Sequence, residues 1–452
     1  MLKTVSSNSM EKSTRPSIYA ENASEKVDKR GLNLEDHISG LPDDILVSIL
    51  SQLTMKEAGR TSLLSKRWRY MWTYIEGLNF DASHIINALE LGEKELEVER
   101  RLYLNWVNQV LKSYNGTSLD EFRVLFDLDD ESCKFDIDNW VNFAIEKRVK
   151  RLELDLSPCS GISVHSLSLG FTSCNSLTNL LLTNVNVTGQ VLEYFLTNCP
   201  FLEQLSVSGS NSLVNLKVPD LALKLKRLGI IYCFDVESIE ISAMNLVSFE
   251  YFGPKISQPF KNVKEPVELC IGGEYCDYLI YNFFEISNYL SQLESLTLHA
   301  TFYEISIRFP KFPVFNKLKQ LELRVTPDYL ESLVVFAPLI EACPFLCKFV
   351  LQLHWGDSTS KRRNLEKVTS RPHHYLKEVE FIGWVGRADD FELAIYVIKS
   401  AVMLEKITFD PRSPLLIGTP WEFTETLRKK AARKRARHFQ TKLPAGAALV
   451  IL

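Results

Sequence analysis

The feature that most constrains this chain is a triplet of apolar residues at i, i+3 and i+5 that returns again and again from residue 119 onward. Its clearest copies are Leu202/Leu205/Val207, Leu225/Leu228/Ile230, Leu293/Leu296/Leu298 and Leu318/Leu321/Leu323. Further copies start at Leu119, Val149, Leu177, Leu246, Leu346, Leu376 and Leu404, which makes eleven. In a chain that is 46% hydrophobic a triplet of this kind arises by chance in about one window in ten, so the spacing carries the argument. Successive starts lie 30, 28, 25, 23, 21, 47, 25, 28, 30 and 28 residues apart, a single period with one double gap. A degenerate copy at Lys264/Val267/Leu269 would fill that gap.

Each triplet reads as a short strand facing a core, and several are preceded by an amphipathic stretch that ends at a proline. Asn198-Cys199-Pro200-Phe201 leads into Leu202, Ala342-Cys343-Pro344-Phe345 leads into Leu346, and Ser173-Cys174-Asn175-Ser176 is a weaker version. The repeating unit is therefore strand, loop, helix. Stacked units predict an α/β solenoid, an irregular leucine-rich-repeat horseshoe with parallel strands on its concave face and helices outside. Cys199 and Cys343 read as small buried hydrophobes in this scheme. A helix carrying Tyr103, Trp106, Val107, Val110 and Leu111 is expected to cover the first open end of the stack, where apolar core would otherwise face water.

Ahead of the repeats, residues 36 to 72 carry the punctuation of three short helices. Pro42 suits a helix start, and Asp43 with Asp44 complements the positive end of the helix dipole. Ile45, Leu46, Ile49, Leu50 and Leu53 then form a broad apolar stripe at helical period. Thr54 can cap a second helix, and Ser65 a third bearing Trp68, Met71, Trp72 and Ile75. About 40 residues with so much apolar surface are too few for a self-sufficient core, so the stripe needs a partner.

This stretch resembles a plant-type F-box, with its Leu41-Pro42 start, its Ile45-Leu46 and Ile49-Leu50 pairs and its Leu64-Ser65-Lys66-Arg67-Trp68-Arg69 close. The resemblance implies docking onto the helical adaptor subunit of an SCF-type cullin-RING ubiquitin ligase, with cullin and RING subunits reached indirectly. The matching adaptor-binding positions are Leu41, Pro42, Ile45, Leu46, Ile49, Leu50, Leu63 and Trp68. The C-terminal block is similar to the FBD domain of plant F-box proteins, through His374-Tyr375-Leu376-Lys377-Glu378-Val379-Glu380-Phe381, a helix from Phe391 to about Met403 and a strand from Leu404 to Phe409. The organisation read from the chain is a disordered leader at 1–35, an F-box at 36–82, a helical linker and solenoid cap at 83–118, leucine-rich repeats at 119–364 and FBD-like repeats with a basic tail at 365–452.

Charge narrows the function classes. The formal net charge is −4, yet Arg428, Lys429, Lys430, Arg433, Lys434, Arg435 and Arg437 place seven cations near the C-terminus, which leaves the rest of the chain at −11. Broad nucleic-acid binding over an acidic body is disfavoured, and the sequence calls for no nucleic-acid partner on the main surface. The basic run, with Lys429, Lys430, Arg433, Lys434 and Arg435 at its centre, reads as an import signal, a phosphate-binding helix or a solvated helical face. The N-terminal 35 residues hold no apolar stretch like a signal-peptide core, and runs such as Leu333 to Ile340 fall far short of a membrane span, so a chain of the nucleus or cytoplasm with no membrane partner is expected.

No P-loop, G-x-S-x-G elbow, H-E-x-x-H helix or G-x-G-x-x-G after a strand is present, so no catalysis, cofactor or metal is expected. His373 and His374 adjoin and point to opposite faces, which suits a surface role better than shared ligation. Target binding is expected on the concave strands, between the core positions, at Arg151, Glu153, Asp155, Gln204, Ser206, Arg227, Ser295, Thr297, His299, Gln320, Glu322, Arg324, Glu378 and Glu380. The reading is a non-catalytic substrate receptor that holds an unidentified target protein for ubiquitination. Two alternatives stand beside it: a receptor for a hormone-like small molecule with the same architecture, and a nuclear nucleic-acid binder working through the basic tail.

Overall fold

The structure is a computed structural model that describes residues 38, 40–92, 94–128, 133–156, 174–220, 224–261, 263, 266–284, 291–301, 309, 311–326, 332–355, 371–419 and 421–452. The expected leader, Ser173, Lys264 and the boundary at 364 lie outside the described residues. The chain divides into two units, Met1–Pro42 and Asp43–Leu452. Within the first, the described residues are Ile38 and Pro42, both exposed, the half-buried Leu41, and Gly40.

Among the described residues, fourteen parallel strands form one sheet. In chain order they are β1 (Gly77–Asp81), β2 (Glu121–Leu125), β3 (Arg151–Asp155), β4 (Asn179–Thr183), β5 (Gln204–Ser208), β7 (Arg227–Ile231), β9 (Ser248–Phe252), β10 (Glu268–Gly272), β11 (Ser295–Ala300), β12 (Gln320–Val325), β13 (Lys348–Leu353), β14 (Glu378–Ile382), β15 (Lys406–Asp410) and β16 (Ala448–Ile451). Between them, β6 (Asn215–Val218) and β8 (Ser238–Ile241) pair as a separate parallel ribbon. Neighbours in the large sheet follow one another in sequence with one strand per unit, which is the topology of a solenoid.

All eleven triplets are strands of this sheet, and their second and third residues are buried, as in Leu205 and Val207 or Leu321 and Leu323. The register between strands is held by the same backbone device in successive units. The carbonyl of the residue ahead of one strand accepts two N–H groups from the entry of the next: Glu203 O from Lys226 and Arg227, Lys226 O from Val247 and Ser248, Val247 O from Val267 and Glu268, and Val267 O from Glu294 and Ser295. Such shared acceptors satisfy the strand entries without any side chain.

Three expectations change. The double gap does hold a strand, β10, but its buried residues are Leu269 and Ile271, so the triplet begins at Pro266 and not at Lys264. The repeat also begins earlier than residue 119, because Ile75, Leu78 and Phe80 form the same triplet and β1 pairs with β2 in register. Finally, the return segments of the units starting at Leu202 and Leu225 are strands, not helices. Those units span only 23 and 21 residues, too few for strand, two loops and a helix, and their returns bury Leu213/Leu216/Val218 and Val236/Ile239/Ile241 as β6 and β8.

The remaining described outer elements are helices: α1 (Asp43–Leu50), α2 (Met55–Arg60), α3 (Ser83–Glu90), α4 (Leu96–Ser113), α5 (Lys134–Glu146), α6 (Gly189–Asn198), α7 (Glu274–Tyr281), α8 (Ala337–Glu341), α9 (Ala388–Ser400) and α10 (Leu427–Ala436). The expected capping helix is α4, and it serves as the outer helix of the first unit: Tyr103 stacks on Phe126 at 4.7 Å and Trp106 meets Phe80 edge-on at 5.2 Å. The β1 end is instead met by α2 of the N-terminal helical module. Six of the described cysteines, Cys199 and Cys343 among them, are buried. His373 departs from its expected surface role: it is buried and its Nε2 lies 3.1 Å from the Ile340 carbonyl, while His374 is exposed.

The start of α9 buries a carboxyl. Asp390 accepts N–H bonds from Val385 (3.3 Å), Gly386 (2.7 Å) and Arg387 (3.0 Å) on one oxygen, and its other oxygen has no partner among the described residues. Burial pushes its pKa up to about 7, more than those three N–H donors pull it down. A carboxyl whose folded pKa is raised favours the folded state fully below the unfolded value near 3.8 and loses that contribution as pH rises through about 7. The melting temperature of the wild type relative to Asp390→Asn is expected to fall by on the order of a few degrees between pH 4.5 and pH 8, read by differential scanning calorimetry. A pH-independent difference would contradict the assignment.

Candidate docking surfaces

The N-terminal module divides its apolar stripe between two jobs. Thr54 and Glu57 form a capping box at the start of α2, and Arg67 reaches back to Asp43 at the start of α1, its Nε 3.1 Å from Oδ1. The third predicted helix is a 3-10 helix, Trp68–Tyr74, whose first N–H bonds Ser65 Oγ at 3.3 Å. Leu46 and Leu50 are fully buried and Trp68 is 5% exposed, so these three of the expected adaptor contacts belong to the module's own core. Ile45 and Ile49, on the other side of α1, are 44% and 42% exposed, and Leu63 is 88% exposed. Leu53 and Leu64 are exposed as well. Beside Leu63 a groove of about 530 Å³ runs between α2 and α4, lined by Met55, Trp72, Trp106 and Val110.

On the large sheet, every expected target-face residue lies opposite the core, and the register sorts them into three rows. Arg151, Gln204, Arg227, Ser295, Gln320 and Glu378 share the first row; Glu153, Ser206, Thr297, Glu322 and Glu380 the second; Asp155, His299 and Arg324 the third. Arg227, Gln320 and Glu378 are exposed and the others half-buried.

The first strands carry a closed ionic lattice. Arg123 bonds Asp81 at 3.1 Å and Glu153 at 3.0 Å, and Arg151 bonds Glu153 at 2.7 Å and Glu121 at 3.1 Å. Partial burial opposes the Arg123 charge, but Glu153, Asp81 and Glu121 outweigh it and raise its pKa. Further along, Glu322 accepts from Arg324 Nε at 2.6 Å and from Gln352 Nε2 at 3.0 Å. His299 is held neutral, its pKa lowered to about 4 by burial, with Arg324 and His354 adding to the effect.

Among known proteins, the family model described as "At1g61320/AtMIF1, LRR domain" matches residues 160–431, and the F-box domain model matches residues 38–77. The chain belongs to this leucine-rich-repeat family. Relatives with the same architecture come from Arabidopsis thaliana. "F-box/FBD/LRR-repeat protein At5g22700" is 26% identical over 87% of this chain and 97% of its own length, and "F-box/FBD/LRR-repeat protein At4g26340" is 24% identical over 84% and 93%. "F-box/LRR-repeat protein 13" is 20% identical over 86% and 92%. The matched repeat region runs on through β14 and β15, which agrees with the C-terminal block being further repeats. That block carries the FBD name in several relatives.

Sequence reasoning passed over the uncharged stretch of the third row at the centre of this leucine-rich-repeat sheet. At the sixth residue after each triplet start it picked polar side chains, so it skipped Ile231, Phe252 and the glycine at 272. Nor did the described residues bring together any group of three metal-ligating side chains, or a helix long and apolar enough to cross a membrane.

The basic run forms α10, and much of it is built into the last repeat. Ala432, Ala436 and Phe439 are fully buried, and the Phe439 ring packs against Trp384, Phe391 and Phe409. Lys429 is 8% exposed and its Nζ donates to the carbonyls of Glu422 (2.8 Å) and Thr424 (2.7 Å). Arg433 bonds Glu425 and the Leu452 carbonyl, and Arg435 bonds the Val385 carbonyl at 2.9 Å. Of the five cations at the centre of the run, Lys430 and Lys434 carry no such bond among the described residues. Lys429→Ala, which strands two carbonyls, is expected to lower unfolding free energy by about 1–3 kcal/mol in urea titrations. Lys434→Ala should change it by less than about 0.5 kcal/mol. Equal effects would mean that the run is not docked in this way.

Proposed function

We propose that the chain is the substrate-recognition subunit of an SCF-type cullin-RING E3 ubiquitin ligase. The observation that carries the proposal is the F-box match at residues 38–77 combined with Ile45 and Ile49 left bare on a helix whose opposite side is buried, and with Leu63 bare nearby in the same module. Apolar side chains at such exposure, on a rigid helical scaffold, are anchors in search of a helical partner. The adaptor subunit fills that role in this reading, with cullin and RING subunits joined through it. Leu41 and Pro42 precede α1 and are the remaining F-box positions assigned to the same partner.

The repeat sheet then holds a target protein on its open face. The chain itself does no chemistry: it raises the effective concentration of target lysines near a ubiquitin-charged enzyme, which is a proximity effect. This work belongs to the nucleus or cytoplasm, with neither membrane nor nucleic acid required. A nucleic-acid role for the tail is weakened by the three central cations already committed to bonds within the last repeat.

Co-purification with the adaptor tests the reading. Ile45→Ala, Ile49→Ala and Leu63→Ala combined are expected to weaken adaptor binding at least about 30-fold, roughly 2 kcal/mol, with a nearly unchanged melting temperature. Leu46→Ala should instead cost about 2–5 kcal/mol of stability, because its side chain is core. Undiminished adaptor binding by the triple variant would overturn the assignment.

A further inference from the structure

The open face of the sheet is uneven, and its middle differs from its first strands. On β1 to β3 the arginines are answered by carboxylates of the same face, so a partner landing there would have to desolvate finished ion pairs. On β7 and β9 the third row is Ile231 and Phe252, and on β10 it is Gly272. That glycine is required by its neighbour. A Cβ built on Gly272 would lie 2.1 Å from Phe252 Cδ2 and 2.9 Å from His299 Cβ, so the Phe252 ring lies across β10 only because position 272 has no side chain.

Just beyond β7, Tyr232 sits at φ +54°. Left-handed backbone in a bulky non-glycine residue costs on the order of 1 kcal/mol, and such strain persists where the surroundings enforce it. Here the Tyr232 N–H is held by the Phe252 carbonyl at 2.7 Å, and the phenol ring stays 47% exposed. Its centroid is 4.5 Å from that of Phe252 and 6.2 Å from that of Phe234, which is 62% exposed. Phe252 meets the His299 ring edge-on at 5.8 Å. Four rings thus form one track over β7 to β11.

The track ends on polar groups with spare capacity. His299 Nε2 is buried and has no hydrogen-bond partner among the described residues. Its register neighbour Arg324 uses Nε on Glu322, and its two terminal nitrogens make no bond among the described residues.

We propose that this track is the anchor point for the target, and that it takes an extended segment of a target protein with an aromatic or branched aliphatic side chain on Tyr232, Phe234 and Phe252 and a carboxylate on Arg324. The inference rests on the reading that the repeat sheet binds a target protein, and it names the chemistry of that target. Exposed aromatic rings supply large contact area at little cost in side-chain entropy, and a guanidinium edge matches a carboxylate. Spacing is fixed by the sheet. From β9 to β12 is three strand steps and from β7 to β12 four, about 14 to 19 Å at about 4.8 Å per step. An extended chain rising about 3.4 Å per residue covers that in about four to six residues.

The test is to pan a displayed library of random 12-residue peptides on the full chain. Enrichment of an aromatic, Leu or Ile residue with Asp or Glu about four to six positions away is expected. A synthetic peptide of the enriched sequence, followed by fluorescence anisotropy, should lose at least about 10-fold in affinity for Tyr232→Ala combined with Phe234→Ala, two exposed positions whose loss spares the core. Arg324→Gln should weaken that peptide by a similar factor, yet leave unchanged the binding of a peptide with its acid replaced by the amide. No enrichment, a basic consensus, or affinities indifferent to these variants would overturn the proposal. Adaptor co-purification of the same variants separates the two readings, because it reports on the F-box alone and is expected to be unchanged.

Discussion

The structure depends on one repeated hydrogen-bond arrangement: at most strand entries, a carbonyl shared between two N–H groups of the next unit. From Glu203 through Val267 to Cys347 and Lys377 this contact fixes the offset between successive strands before any side chain is considered. Once the offset is set, residues i+3 and i+5 of every triplet fall on the same side, and a core two residues wide runs the length of the sheet. Unit length is then free to vary, because the device lies at the strand entry and leaves the return path unspecified. A unit of 25 residues returns through the helix α6, and one of 21 or 23 returns through β6 or β8, without disturbing the register of β5, β7 and β9. A fold tolerant of length in this way can vary its loops and outer layer while keeping a continuous face for binding.

The helical module shows the same economy in miniature. One stripe on α1 supplies both the residues that hold the module together, Leu46 and Leu50, and those left for a partner, Ile45 and Ile49. Helical period alone placed all of them on one broad face, since positions one residue apart differ by only about 100° around the axis. Which half turns inward is decided by the 3-10 helix packed on α1, and by its first residue Trp68, whose burial completes the module's core. That information is tertiary and cannot be read from spacing. The same holds for Lys429: a run of cations looks solvated in sequence, and only the fold shows two carbonyls placed to receive one of its ammonium groups.

Much of the fold was legible because the triplet is a local pattern with a strong physical cause. Where reading failed, the cause was a threshold applied too strictly. Ile75/Leu78/Phe80 was overlooked because it adjoins helical punctuation, yet it obeys the same rule as the eleven others. In the double gap Pro266 replaces the usual apolar first residue; the strand survives because that first position lies outside the strand itself, so its buried pair Leu269 and Ile271 suffices. Leu213/Leu216/Val218 and Val236/Ile239/Ile241 also match the pattern and are strands, but in the outer ribbon, so the triplet reports a buried strand without saying in which sheet it lies. The candidate target face was legible as a face, through alternation, and illegible in its emphasis. Selecting polar residues favoured ionic positions such as Arg151 and Glu153, which are already paired, over Phe252 and Tyr232.

That inversion follows from electrostatics. The chain outside the basic run carries a net −11, which suggests an acidic surface hungry for cations. On the sheet face the charges are instead arranged as neighbours of opposite sign, Glu121 beside Arg151 and Glu153 beside Arg123, and the same pattern recurs at strand entries in Lys226 with Glu203, Lys319 with Glu294 and Lys377 with Glu405. Exposed pairs of this type contribute little stability individually. Their effect on recognition is larger: a charge with a fixed neighbour offers an incoming partner only the cost of desolvation. Discrimination therefore passes to the part of the face where charge is sparse, where rings are held apart from the core by a strained tyrosine and a glycine, and where the Arg324 guanidinium at the edge of the patch has terminal donors with no bond among the described residues.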